Sequence, residues 1–151
     1  MMTTSPSPRP AEAADQAEWQ RLWLLYCETL GTVLAEPVTA ATWRRILAPD
    51  QPIWCLVVAG ADGRLVGFAN YLLHPHTWSA RLVCYLEDLF VAPEARGSGA
   101  ARALIDALTE RGRANGWRRI YWHTHEDNYR ARTLYDRVTP RTDYVRYDIP
   151  L

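Results

Sequence analysis

Apolar positions recur at Trp19, Leu22, Trp23, Tyr26 and Leu30, a spacing that lays them along one stripe of a helix predicted over Asp15 to Leu30. Gly31 and Pro37 bracket a loop, and Thr39 is the expected cap of a short helix carrying Trp43, Ile46 and Leu47. Short apolar runs bounded by turn residues follow. Ile53–Ala59 reads as a strand, Asp62-Gly63 as a hairpin turn and Arg64–Leu73 as the partner strand. His74-Pro75-His76-Thr77 reads as a loop and Leu82–Val91 as the central strand. Helical spacing returns at Ala101, Leu104, Ile105 and Leu108, predicting a helix from about Gly99 to Ala114 with a left-handed stop at Asn115-Gly116. A strand over Arg119–Thr124, a helix over Asn128–Val138 capped by Asp127, and a closing strand over Asp143–Ile149 complete the pattern. Residues 1–10, with three of the ten prolines, read as a flexible N-terminal tail ending in a short edge strand near Ser7–Arg9. Residues 11–151 read as a single domain without repeats. The order predicts an α/β fold: a mixed, mostly antiparallel central sheet flanked by about four helices.

One junction concentrates the chemistry. Between the strand ending at Val91 and the helix opening near Ala100 lies Arg96-Gly97-Ser98-Gly99-Ala100-Ala101. Strand, glycine loop and helix start are the order that presents backbone N–H groups to a phosphate. The spacing is not a P-loop, because no Lys-Ser/Thr follows, nor a dinucleotide fingerprint. Further along, Asn128 and Tyr135 stand seven apart on nearly one helix face. Upstream, Tyr85-Leu86-Glu87-Asp88-Leu89-Phe90-Val91 places two adjacent carboxylates inside a strand, where acids are normally depleted. Strict alternation sends Glu87 and Asp88 to opposite faces and puts Tyr85, Glu87 and Leu89 on the same one.

The Arg96 to Ala101 loop, the Asn128 to Tyr135 segment and the Glu87-Asp88 strand together resemble the GNAT superfamily of N-acetyltransferases. In motif they are most similar to the spermidine/spermine (diamine) acetyltransferases and to the fungal enzymes acting on histones, polyamines or D-amino acids. The resemblance runs from about Trp19 to Tyr147. It implies the GNAT fold and an acetyl-CoA co-substrate. It further implies that Arg96, Gly97, Ser98, Gly99, Ala100 and Ala101 wrap the pyrophosphate, that Asn128 contacts the pantetheine arm, and that backbone groups of Leu89, Phe90 and Val91 hold the thioester where the strand splays from its neighbour. Glu87 matches the general base of the diamine enzymes, and Tyr135 is placed as the acid for the departing thiolate. Two departures stand out. Ala101 replaces the commoner glycine, and Val138-Thr139-Pro140-Arg141 replaces the usual Gly-Phe turn, which weakens polyamine specificity most.

An aliphatic amine resembles Lys, so roughly one molecule in two thousand is neutral at pH 7. A nearby base addresses that deficit. Asp88 is expected to attract the cationic acceptor or to orient a neighbour, and an aromatic wall suits an ammonium ion. Tyr26, Tyr71, Trp78 and Tyr85 are the expected acceptor contacts; Trp23 and Trp43 are also candidates, with at least half of this set expected in the core. Pairing of both acids with arginines across the sheet is the competing structural reading.

Composition changes the picture in three places. Net charge is zero, so no basic field points to nucleic acid, and no apolar run approaches a membrane span. Cys27, Cys55 and Cys84 are odd in number and sit in apolar segments, reading as reduced core thiols of a cytoplasmic protein. His123 and His125 share a strand face, but no third ligand is evident, so no metal is expected. The reading is therefore an acetyl-CoA-dependent N-acetyltransferase of a small-molecule amine: a polyamine, diamine or amino-acid-like acceptor. A protein lysine or N-terminal acetyltransferase and a non-catalytic acetyl-CoA sensor are the alternatives. A homodimer is expected through the closing hairpin.

Overall fold

A computed structural model describes residues 5–151. Residues 1–4 of the expected tail lie outside the described residues. The sheet has five strands in the order β1 (Arg9–Pro10), β2 (Ile53–Ala59), β3 (Leu65–His76), β4 (Ser79–Val91) and β5 (Ile120–Tyr121). The first four are antiparallel to their neighbours, and β5 runs parallel to β4. The edge strand β1 is pinned: the Arg9 guanidinium donates two bonds, at 2.7 and 2.8 Å, to the buried Asp15 carboxylate.

Helices α1 (Gln16–Thr29) and α2 (Glu36–Leu47) cover one face. Trp19, Leu22, Trp23, Cys27, Trp43 and Ile46 pack there against Ile53, Cys55, Val57, Phe68 and Phe90. Helices α3 (Ala100–Asn115) and α4 (Tyr129–Val138) cover the other. Leu104, Ile105 and Leu108 close on Leu56, Val58, Ala69, Tyr71, Cys84 and Leu86, with Leu134 and Tyr135 at the margin. The three cysteines are buried and free, and burial pushes the Cys84 thiol up to about 12, which makes it an inert core group.

Several boundaries differ from expectation. Thr39 is not a cap; Ala35 is, four residues earlier, with Glu36 and Pro37 opening α2, and Thr39 is buried, accepting a 3.2 Å bond from the Trp23 indole. The expected loop at His74–His76 is strand, because β3 and β4 form a long hairpin that turns at Thr77-Trp78. Asn128, not Asp127, caps α4, its side chain accepting from the Ala131 N–H. Only Ile120–Tyr121 of the predicted fifth strand is paired, and the closing strand over Asp143–Ile149 does not form; its residues are exposed. A strand pattern becomes a strand only where a partner edge exists, and neither the rest of Arg119–Thr124 nor the closing stretch pairs with one among the described residues.

Candidate active site

Two irregularities in β4 create the site. Asn70 of β3 faces Asp88, yet Tyr71 faces Leu86, so Glu87 is an extra, unpaired residue. This bulge shifts the side-chain parity of β4. Leu86 and Leu89 both belong to the α3-side core, so the two residues between them share the opposite side. Glu87 and Asp88 therefore come together, contrary to the strict alternation expected. Tyr85, between Cys84 and Leu86, lies on the face away from Leu89, which corrects the expectation that the two look the same way.

The second irregularity is a splay. Pairing of β4 with β5 ends at Tyr85 opposite Tyr121. The Ala92 N–H donates to Val66 of β3. Alternation along the extended strand then turns the Leu89 and Val91 N–H groups away from β3, into the opening that β5 leaves. Phe90 is buried in the α1-side core with its N–H toward β3, so it contributes packing.

On the carboxylate side, both Asp88 oxygens are engaged. The Tyr26 hydroxyl donates at 3.0 Å and the Asn70 amide at 3.1 Å. Burial still holds the Asp88 carboxyl above its ordinary range, against the lowering effect of these bonds. Tyr26 is wedged against Phe68 and Phe90 at centroid distances of 5.8 and 5.6 Å, and burial and the Asp88 charge push its hydroxyl pKa well up. Glu87 is different: among the described residues its carboxylate has no hydrogen bond or ion pair. Partial desolvation and then Asp88 raise its pKa, while the charges of Arg146 and Arg45 oppose the rise. Among the described residues, neither acid pairs with an arginine across the sheet.

Beside the acids runs an aromatic strip. Tyr85 stacks on Tyr121 at 5.0 Å and its hydroxyl lies 3.3 Å from His123 Nδ1. The Tyr121 hydroxyl in turn meets His74 Nε2 at 2.9 Å. Two expected acceptor contacts lie elsewhere. Tyr71 is buried on the α3 side between Trp54 and Trp117, because its register position faces that core. Trp78 sits at the tip of the β3–β4 hairpin, 80% exposed and packed only edge-on to His76. Trp23 and Trp43 are core.

The loop before α3 presents donors. Gly97 and Gly99 take φ +83° and +85°, and a Cβ at either would meet open space. The glycines are thus required by conformation, and the concave side stays clear. Ser98 accepts from the Ala100 N–H at 3.4 Å. The N–H groups of Gly97, Gly99, Ala101 and Arg102 have no acceptor among the described residues, and no acid stands in the first turn of α3. Arg96 is exposed and has no ion pair among the described residues, whereas Arg102 is tied to Asp106 at 2.9 Å. This cradle fits an anionic phosphate group. Asn128 sits at the start of α4, its Nδ2 donating to Thr124 at 3.2 Å. Tyr135 lies edge-on to Trp122 at 5.3 Å, and burial raises its pKa, keeping the phenol protonated at neutral pH.

Asn70, Tyr121, His74 and His123 escaped sequence reasoning as site members. Asn70 left one signal, a polar residue in the middle of an apolar strand run. The others become neighbours only through pairing of β3, β4 and β5.

The chain matches the Acetyltransferase (GNAT) family over residues 16–139 and belongs to it. It is 35% identical to the D-amino-acid N-acetyltransferase HPA3 of Saccharomyces cerevisiae, across 90% of this chain and 85% of the yeast protein. It is 32% identical to the aminoglycoside N(6')-acetyltransferase type 1 of Stenotrophomonas maltophilia, across 80% of this chain and 76% of that one. The crystal structure of a ribosomal-protein-alanine N-acetyltransferase from Brucella melitensis biovar Abortus 2308 shares the fold, with TM-score 0.81 and 23% identity over 97% of this chain and 99% of that one.

Proposed function

We propose that this GNAT acetyltransferase transfers an acetyl group from acetyl-CoA to the primary amine of a small molecule, with an amino-acid-like acceptor favoured over a polyamine. The observation that carries the reading is Glu87: a carboxylate without a partner, raised in pKa, extruded by a bulge beside the free N–H groups of the splayed strand. Acetyl-CoA supplies the thioester whose acyl carbon is transferred. Arg96 and the N–H groups of the Gly97–Arg102 turn hold its phosphates, and the start of α4 at Asn128 borders its arm. The Leu89 and Val91 N–H groups hold the carbonyl oxygen as charge gathers on it. Glu87 takes the proton from the amine nitrogen, and the Tyr135 hydroxyl gives one to the departing sulfur.

Asp88 acts as the anchor of Tyr26 and as a negative charge behind Glu87, not as a second base, because both its oxygens are already occupied. The favoured acceptor follows from charge. Arg45 and Arg146 both oppose the rise in the Glu87 pKa. Arg146 is already paired with Asp148 at 2.8 Å, which leaves Arg45 as the cation that suits a carboxylate beside the ammonium of an amino acid and disfavours the second cation of a polyamine. The yeast relative's name points the same way. Release of free thiol from acetyl-CoA, followed with D-amino acids, diamines, aminoglycosides and an N-terminally free peptide, tests it. Turnover is expected with amino acids foremost. Equal or better turnover with the peptide overturns the small-molecule assignment, and no thiol release with any amine overturns the enzymatic one.

A further inference from the structure

Among the described residues, the Tyr85 and Tyr121 rings belong to neither hydrophobic core, and both are half-buried. They lie on the side of the sheet that carries Glu87, and the charge of Glu87 reaches both. An aromatic pair left at the mouth of a site, not packed under a helix, is a surface for something else to cover. Histidines hold its polar atoms. His74 Nδ1 lies 2.7 Å from the Pro75 carbonyl oxygen, which can only accept, so Nδ1 carries the proton. Nε2 of the neutral ring then accepts from the Tyr121 hydroxyl at 2.9 Å. The Tyr85 hydroxyl meets His123 Nδ1 at 3.3 Å. With both hydroxyls engaged, ring carbon is what remains for an acceptor beside Glu87.

The faces of Tyr121 are engaged as well. Tyr85 stacks on it with centroids 5.0 Å apart and 25° between the planes, and the Arg119 guanidinium stands over the ring at 5.8 Å. A ring so covered offers its edge. The edge is the positive part of the aromatic quadrupole, so it attracts the face of a second ring and gives nothing to an ammonium ion.

We propose that the Tyr85–Tyr121 pair is the side-chain subsite for the acceptor and selects amino acids with an aromatic side chain. Tyr121 sets the preference, and His74 is a positioning residue that acts through the Tyr121 hydroxyl. The inference rests on the reading of the site as one for an amino-acid-like acceptor. Residues two apart in a strand stand ~7 Å from each other, so Tyr85 lies within reach of a side chain whose neighbouring amine meets Glu87. Arg45 remains for the carboxylate, and the three groups of the acceptor then have separate partners.

Calorimetric titration of the full chain with phenylalanine, cyclohexylalanine and alanine, each as both enantiomers and with CoA present, reads the subsite without any acetyl transfer. For at least one enantiomer, phenylalanine should bind ~10-fold or more tightly than alanine, because its ring leaves water. It should also bind ~2- to ~12-fold more tightly than cyclohexylalanine, the advantage of an aromatic pair beyond burial. In Tyr121→Leu that second advantage should vanish. His74→Leu should reduce it, and His74→Gln, whose amide oxygen can accept the same hydroxyl, should restore it. Absence of phenylalanine binding, or equal binding of phenylalanine and cyclohexylalanine by the wild type, overturns the proposal even where a variant fails to fold. A preference that Tyr121→Leu leaves intact overturns it too, and one that His74→Leu leaves intact removes His74 from it. Thiol release is read separately. A wild type that keeps the binding preference but acetylates no amine retains the subsite and loses the enzymatic reading; one that acetylates amino acids without the preference does the reverse.

Discussion

Glu87 and Tyr135 divide the proton traffic between two residues whose environments push in one useful direction. A carboxyl raised above its ordinary range is a stronger base once ionised, and a phenol raised above its range stays protonated. Glu87→Gln keeps the shape and removes the acceptor, so kcat/KM for the amine should fall while acetyl-CoA binding by calorimetry is unchanged. The rising limb of the pH–rate profile should move as well. In the wild type it reports Glu87 losing its proton at a pH above the ordinary carboxylate range; in the variant it should climb toward the amine's own pKa of ~10. A variant with the wild-type rate and limb places the base elsewhere. Tyr135→Phe should lower kcat by ~10²-fold with little change in KM for acetyl-CoA, because only a hydroxyl is lost. Unchanged kcat at neutral and alkaline pH reduces Tyr135 to packing against Trp122.

At the scale of the element, the glycine turn and the bulge matter more than any one side chain. Gly99 is the left-handed N-cap of α3, so Gly99→Ala costs ~1–2 kcal/mol of backbone strain and turns the flanking N–H groups off their common focus. Its KM for acetyl-CoA should rise severalfold with only a modest loss in melting temperature, and an unmoved KM contradicts the phosphate cradle. This turn was legible in the sequence because its residues are contiguous and glycine is needed for a local reason. The helices were legible for the same reason: of the stripe predicted for α1, Trp19, Leu22 and Trp23 are buried and Tyr26 half-buried, while Leu30, just past the end of the helix, is exposed. The bulge at Glu87 was not legible. Register comes from the partner strand, and nothing in Leu86-Glu87-Asp88 says that Tyr71 will face Leu86 while Asn70 faces Asp88. The misassigned faces along Tyr85, Glu87, Asp88 and Leu89 follow from that single slip, whereas Tyr71 is on the α3 side by the regular alternation of β3. The unformed closing strand has another cause: its alternation is genuine, but pairing depends on an edge that the sequence cannot supply.

At the scale of the whole molecule, the site is held at a cost to stability, and Asp88 is where that cost can be measured. The carboxylate sits between α1, β3 and β4, tying Tyr26 and the buried Asn70 to one point, while the Asn70 carbonyl oxygen is left buried without a partner. Because burial raises the Asp88 pKa in the fold, its ionised form is less favourable there than in the unfolded chain. The favourable contribution of this group is thus full below its unfolded pKa and lost as pH rises through the raised folded value. Asp88→Asn removes the charge. With Asn70 turned over, the new amide donates to the Asn70 oxygen, while its own oxygen still accepts from Tyr26. The variant should therefore be more stable than the wild type at neutral pH, by about 1 kcal/mol. That advantage should fade as pH falls through the raised Asp88 pKa, since the wild-type carboxyl is then neutral too. Activity should move the other way: KM for the amine should rise, because the negative charge behind Glu87 is gone, while Tyr26 stays in place. Denaturant melts of both proteins from acid to neutral pH, set beside amine KM values, read the two effects separately. A neutral-pH loss of stability in Asp88→Asn would show that the charged hydrogen bonds to Tyr26 and Asn70 outweigh desolvation, and that the site is part of what holds α1 on the sheet.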